Sequence, residues 1–264
     1  MSGNAEARQS ALDRFLDAAR PSAALSEELF AAVDALSGSP SLRRALTDQG
    51  TPVAARLNVV RTLFGGRVSA DAVAVIEEAV KLPWATTGAL LAGIERQGVR
   101  AILLEADAQG RLDAVEDELF KVGRVVAANP ELRRAVGERR VALAGRQRLL
   151  DDVIGAKVLP ATRALARRAV VARQDSFEST LDSYLKTAAA LRNRGIATVE
   201  VARPLSAEQE ARLRAALSRQ AGREVTLHVI VNPAVLGGVR VSLGDEVIEG
   251  TVAGRLSDVR RKLS

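Results

Sequence analysis

Few residues in this sequence could do chemistry. His228 is the only histidine and there is no cysteine, which rules out disulfides, thiolate nucleophiles, thiolate metal sites and multi-histidine metal sites. His228 lies in the run Val225 to Val231, where apolar residues alternate. That pattern predicts a packed or edge-strand histidine rather than half of a catalytic relay. The neighbouring carboxylates Glu77-Glu78 and Asp151-Asp152 fall in helix-patterned segments. Successive side chains on a helix point about 100° apart, so neither pair converges on one proton. Gly237-Gly238 invites comparison with a phosphate loop. No Gly-x-x-x-x-Gly-Lys-Ser/Thr is present, however, and no Gly-x-Gly-x-x-Gly opens a helix there. A glycine pair entering a strand predicts a bulge or a close backbone approach.

What remains is charge. Lys and Arg number 38 against 32 Asp and Glu, a formal net charge of +6. Residues 1–110 carry 11 basic and 13 acidic residues, and 111–195 carry 17 and 11. Residues 196–264 carry 10 and 8. The excess sits in the middle third, at Arg133-Arg134, Arg139-Arg140, Arg146, Arg148 and Arg167-Arg168. Such a cluster could attract an acidic partner, or it could be the solvated face of arginine-rich helices. A nucleic-acid binder is the alternative reading. Interleaved acids throughout and an aromatic content of 3% count against it.

The elements that carry these residues show an internal repeat. Residues 11–80 align without a gap on 101–170 at a constant offset of 90, with 19 identities in 70 pairs. Pro40-Ser-Leu-Arg-Arg-Ala45 matches Pro130-Glu-Leu-Arg-Arg-Ala135, Arg56 matches Arg146, and Gly65 matches Gly155. Leu29, Val33 and Leu36 recur at helical spacing, as do Leu119, Val122 and Val126. Ser39 and Asn129 suit N-caps, with Pro40 and Pro130 in the first turn, where the missing N–H costs nothing. Thr51-Pro52 predicts the same device, and Gly65-Gly66 and Gly155 predict helix ends. Trp84 is expected in a core or a seam near the junction of the copies.

After Gly195 the period becomes two. Strands are expected over 196–202, 223–231 and 239–243, with a return at Val247-Ile248. Ser206 and Gln209 have capping-box form and predict a helix between the first two strands. Thr251 begins a last helix with the stripe Val252, Leu256, Val259 and Leu263. The expected architecture is mainly α: two related helical bundles, 1–100 and 101–195, followed by a small α/β domain, 196–264. The start of the chain lacks the apolar core of a secretory signal. The longest run without a charged residue, 225–239, falls short of the ~18 apolar residues a membrane span needs.

The string Leu236-Gly-Gly-Val-Arg-Val-Ser-Leu-Gly-Asp-Glu-Val-Ile-Glu-Gly-Thr-Val-Ala-Gly-Arg-Leu256 resembles the carboxyl-terminal signature of the delta subunits of F-type ATP synthases, the family that includes the oligomycin-sensitivity-conferring protein. Upstream, Val201-Ala-Arg-Pro-Leu-Ser-Ala-Glu-Gln209 is similar to that family's Ala-x-Pro-Leu-Ser-x-x-Gln segment. The second helical copy resembles the lengthened subunits of high-GC Gram-positive bacteria, and 33 Arg against 5 Lys agrees with that composition.

The resemblance implies a non-catalytic stator subunit that needs no cofactor or metal. Such a subunit grips the amino-terminal segments of alpha subunits on the catalytic head and holds the b subunit of the peripheral stalk. Its expected location is the cytoplasmic face of the bacterial plasma membrane, peripheral, within the complex. On that basis the stalk contact is expected at Gly237, Gly238, Asp245, Val252, Arg255, Leu256, Val259 and Leu263. Further contacts to head or stalk are expected at Arg133, Arg134, Arg139 and Arg140.

Overall fold

A computed structural model describes residues 2–18, 21–171, 176–192, 195–221, 225–232, 239–243 and 246–249. The chain divides into two compact units, Met1–Ala189 and Ala190–Ser264. Among the described residues the first is built of helices: α1 Ser2–Ala18, α2 Ala23–Ser37, α3 Pro40–Thr47, α4 Val53–Phe64, α5 Ala70–Lys81, α6 Thr87–Ala108, α7 Leu112–Ala128, α8 Pro130–Gly137, α9 Leu143–Ile154, α10 Pro160–Ala169 and α11 Phe177–Arg192. A single 3-10 turn, Gly155–Lys157, follows α9.

The helices start and stop for local reasons. Ser22, Ser69 and Thr86 cap α2, α5 and α6 by accepting the third following N–H, which pairs a donor the first turn leaves orphaned. Asn129 does the same for Leu132 at α8, with Pro130 behind it. Ser39 precedes Pro40 as expected, but its hydroxyl meets Ser41 and makes no cap bond. Pro52 sits one position earlier than its sequence suggests, at the N-cap of α4. Thr51 is instead drawn into a turn, its hydroxyl donating to Asp48. Gly66 and Gly155 take positive φ at the ends of α4 and α9, a conformation only glycine adopts at no steric cost.

The apolar stripes face inward. Leu25, Leu29, Val33 and Leu36 of α2 are buried with Leu12 and Leu16 of α1, Ile76 and Val80 of α5, and Leu90 and Ile94 of α6. Each such side chain contributes about 1.5–3 kcal/mol on leaving water. Trp84 belongs to this core, its indole N–H donating to the Ala79 carbonyl at 2.7 Å. Gly93 lets the indole approach α6: a Cβ there would lie 2.5 Å from Trp84 Cη2. The following helices repeat the pattern, with Leu119, Val122, Val126, Leu150, Ile154 and Leu165 buried.

Among the described residues the second unit is a four-stranded sheet with a helix. Strands β1 Gly195–Val201, β2 Val225–Val231, β3 Val239–Leu243 and β4 Glu246–Glu249 lie in the order β2-β1-β3-β4. β1 and β2 are parallel, so the chain must cross over between them, and α12 Ala207–Ala221 does so. The other pairs are antiparallel. Ser206 and Gln209 close the expected capping box. The Gln209 side chain accepts the Ser206 N–H at 2.8 Å, and Ser206 Oγ accepts the Gln209 N–H at 3.2 Å. Period two places Ala197, Val199, Val201, Val225 and Val241 in one core with Leu217 of α12.

Candidate functional site

Three of the four neighbouring carboxylates, Glu77, Glu78 and Asp151, are engaged in ion pairs, and Asp152 is exposed. Glu77 accepts from Arg61 at 2.6 Å, Glu78 from Lys81 at 2.9 Å, and Asp151 from Arg167 at 2.8 Å. No two of them converge on one proton. Among the described residues no cluster of His, Asp and Glu could hold a metal ion, and no helix is long and apolar enough to cross a membrane. His228 lies on β2, an edge strand, opposite Thr198 of β1.

The basic residues of the middle third divide into two groups that a charge count merges. Arg146 is buried, and its Nη1 donates to the carbonyls of Val136 at 3.1 Å and Val170 at 3.0 Å. Arg168 is buried too. It donates to Glu95 on α6 at 2.7 Å and to Asp34 on α2 at 2.8 Å, and its guanidinium lies 4.6 Å from the centre of the Phe30 ring. Burial disfavours the Arg168 charge, but the carboxylates of Glu95 and Asp34 outweigh it and raise its pKa. These two arginines hold the fold. Arg133, Arg134, Arg139, Arg140 and Arg148 are exposed.

The same stretch of chain carries apolar side chains that water reaches. Val141 is 47% exposed and Leu149 36%, and Val153 follows Leu149 by one helical turn on α9. A groove of about 370 Å³ between α8 and α9 is lined by Glu131, Arg134, Glu138, Val141, Gly145 and Leu149. Gly145 borders Val141 there: a Cβ at Gly145 would make an ordinary contact with Val141 at 3.5 Å. A larger cleft of about 880 Å³ lies between α2 and α6 on one side and α9 and α10 on the other, with Phe30, Ile102, Leu143 and Arg168 among its walls. Grooves with an apolar floor and charged rims suit helix docking; they do not assemble a nucleophile and a base.

Gly237, Gly238, Asp245, Val252, Arg255, Leu256, Val259 and Leu263, expected at the stalk contact, lie outside the described residues. The whole last helix expected from Thr251 does so as well. Sequence reasoning missed the surface around Phe120, which is 56% exposed. Its signal was present: Phe120 is one of five phenylalanines, on a helix whose other large apolar residues, apart from the exposed Val125, are buried.

A helical unit with exposed grooves, followed by a small helix-and-sheet unit, defines a binding protein. The chain belongs to the ATP synthase delta (OSCP) subunit family, whose model matches residues 94–263. It is 41% identical over 236 residues to "ATP synthase subunit delta" of Cutibacterium acnes, covering 89% of this chain and 90% of that protein. The same description attaches to proteins of a Nocardioides strain (41% identity, 92% of this chain and 88% of the relative) and of Streptomyces coelicolor (41%, 91% and 88%).

Proposed function

We propose that this chain is built from two copies of one helical bundle followed by a stalk-binding domain, broadly 1–100, 101–195 and 196–264, and that the second copy is the one that docks the catalytic head. The protein is a non-catalytic stator subunit of the ATP synthase. It links the alpha/beta head to the peripheral b stalk and resists the torque of the rotor. Membership of the family over nine-tenths of the chain carries that reading. A brace needs two separate binding surfaces and no reactive centre, since a single contact connects nothing. Nothing in the homology supports the nucleic-acid alternative.

Several observations support the duplication. α2, α3, α4 and α5 are followed by α7, α8, α9 and α10 with starts near 90 residues on. Glu28 accepts the Ser69 N–H at 3.0 Å, and Glu118 accepts the Leu159 N–H at 2.8 Å. α6 passes through position 100 without a break, so the two bundles share it: last helix of the first, first helix of the second. The family match beginning at residue 94 favours the second bundle as the docking copy.

The assignment of surfaces is likewise our reading. The Val252, Leu256, Val259 and Leu263 stripe, with Gly237, Gly238, Asp245 and Arg255, meets the b stalk. Arg133, Arg134, Arg139 and Arg140 face head or stalk. The subunit sits at the cytoplasmic face of the plasma membrane, held there by the complex. A Leu256→Asp chain tests the stalk contact: it should fold and lose b-stalk affinity, and native affinity in the folded variant refutes the assignment.

A further inference from the structure

α9 carries an apolar row on its solvent side. Val141, just before the helix, and Gly145, Leu149 and Val153 on it follow one another at intervals of four, and all are exposed. Residues four apart lie one above the other on a helix surface. The row to one side, Arg146, Leu150 and Ile154, is buried and holds α9 to its bundle. The row to the other side is charged: Arg148 and Asp152 are exposed, and neither is in an ion pair among the described residues.

Ninety positions earlier the same helix is dressed differently. Val59 and Leu63 of α4 stand where Leu149 and Val153 do, but they are half-buried and pack on the core. Asn58 and Thr62 stand where Arg148 and Asp152 do and carry no charge. The open apolar row and the charged row beside it are therefore not demanded by the packing of such a helix; they belong to α9.

We propose that through this face two copies of the chain, free of the synthase, pair with each other, α9 against α9 and antiparallel. The charges select a second copy as the occupant. About a two-fold axis across the helices, each row meets its own counterpart running the other way. Arg148 of one copy then faces Asp152 of the other, and the reciprocal pair forms at the same time. The apolar rows meet at the axis, with Leu149 beside it. Val153 of one copy comes level with Gly145 of the other, where no side chain holds the helices apart. A parallel pairing would set the charged row against the buried one and make neither ion pair. One helix face is a small contact, so the association is weak and reversible. It is independent of the head and stalk contacts proposed above.

Sedimentation of the full chain tests this. The native chain should pass from monomer to dimer as its concentration rises. Arg148→Asp leaves two acids on the face and Asp152→Arg leaves two bases, so each variant alone should self-associate about ten-fold more weakly or worse. Mixed in equal amounts, the two should dimerise with each other to within about two-fold of the native chain, because every acid then meets a base. Leu149→Asp should remain monomeric. All three positions are exposed, and unfolding midpoints like the parent's confirm that the variants fold. A native chain that stays monomeric, single charge variants that associate like the native chain, or a mixture that fails to recover overturns the proposal. Native dimerisation of Leu149→Asp overturns it as well, since another face then joins the copies. A monomeric chain whose α9 face is shielded only on rebinding to the synthase gives the face to another subunit and refutes the pairing.

Discussion

Arg56 and Arg146 make the same pair of bonds, ninety positions apart. Arg56 Nη1 donates to the carbonyls of Leu46 at 3.4 Å and Val80 at 2.8 Å. Arg146 Nη1 donates to Val136 at 3.1 Å and Val170 at 3.0 Å. Each guanidinium is buried and closes the carboxyl-terminal ends of two helices, where carbonyls lack intrahelical partners and the helix dipoles favour a cation. Replacing either arginine by methionine keeps most of the volume and strands the carbonyls. Each variant should lose about 2–3 kcal/mol of stability, measured by urea unfolding, and the two losses should be alike. A loss in one and none in the other would show that the bonds do different work.

The Asp13 cluster gives a pH prediction. Asp13 on α1 accepts from Arg96 and from Gln97 at 3.0 Å, and Arg100, fully buried, lies 3.2 Å away. Burial raises the Asp13 pKa, but the Arg100 charge and the bonds from Arg96 and Gln97 outweigh it, leaving the carboxyl below its usual value. The folded pKa is depressed, so this stabilisation is complete above the unfolded value of about 3.9 and is lost as pH falls through the folded value. Asp13→Asn should cost about 3 kcal/mol at pH 7, because it removes one of the two carboxylates paired with the buried Arg100, the other being Asp17 at 2.5 Å. It should also flatten the fall in stability below about pH 4, read from unfolding midpoints across pH.

The close approach at Gly93 is testable through the single tryptophan. Gly93→Ala gains helix propensity of about 1 kcal/mol, but its methyl meets Trp84 at 2.5 Å. Overpacking of this kind costs about 1–3 kcal/mol. The variant should be net destabilised, with a changed Trp84 emission. A stabilised variant with native emission would mean that the indole yields freely.

The exposed arginines of α8 and the turn after it predict salt-sensitive assembly. Surface charges are screened over about 8 Å at physiological ionic strength. Binding of the full chain to head or stalk should weaken between low and high salt. Reversing Arg133, Arg134, Arg139 and Arg140 to glutamate should lower affinity and flatten the salt dependence. Affinity that does not change with salt would remove these residues from the interface.

Much of this architecture was legible in the sequence because local rules set it. The capping box at Ser206 and Gln209, the alternation of β2, and the left-handed glycines 66 and 155 needed no tertiary context. Thr51-Pro52 misled by one residue, because the Asp48 carboxylate competed for the Thr51 hydroxyl. What sequence could not show was burial. Arg146 and Arg168 read as surface charge beside Arg148 and Arg167, yet the first closes helix ends and the second stacks on Phe30. The unbroken run of α6 through position 100 was hidden as well, since a gapless alignment marks equivalence and not where helices end. The Phe120 face was missed because its exposure is set by tertiary packing, which local patterning does not show.

The claim that this chain mechanically joins head to stalk is tested most directly by ATP-driven proton pumping in membrane vesicles from cells lacking it. The account predicts that pumping disappears while ATP hydrolysis by the head persists, and that the added full chain restores pumping. Coupled pumping at the native rate in its absence would contradict the account.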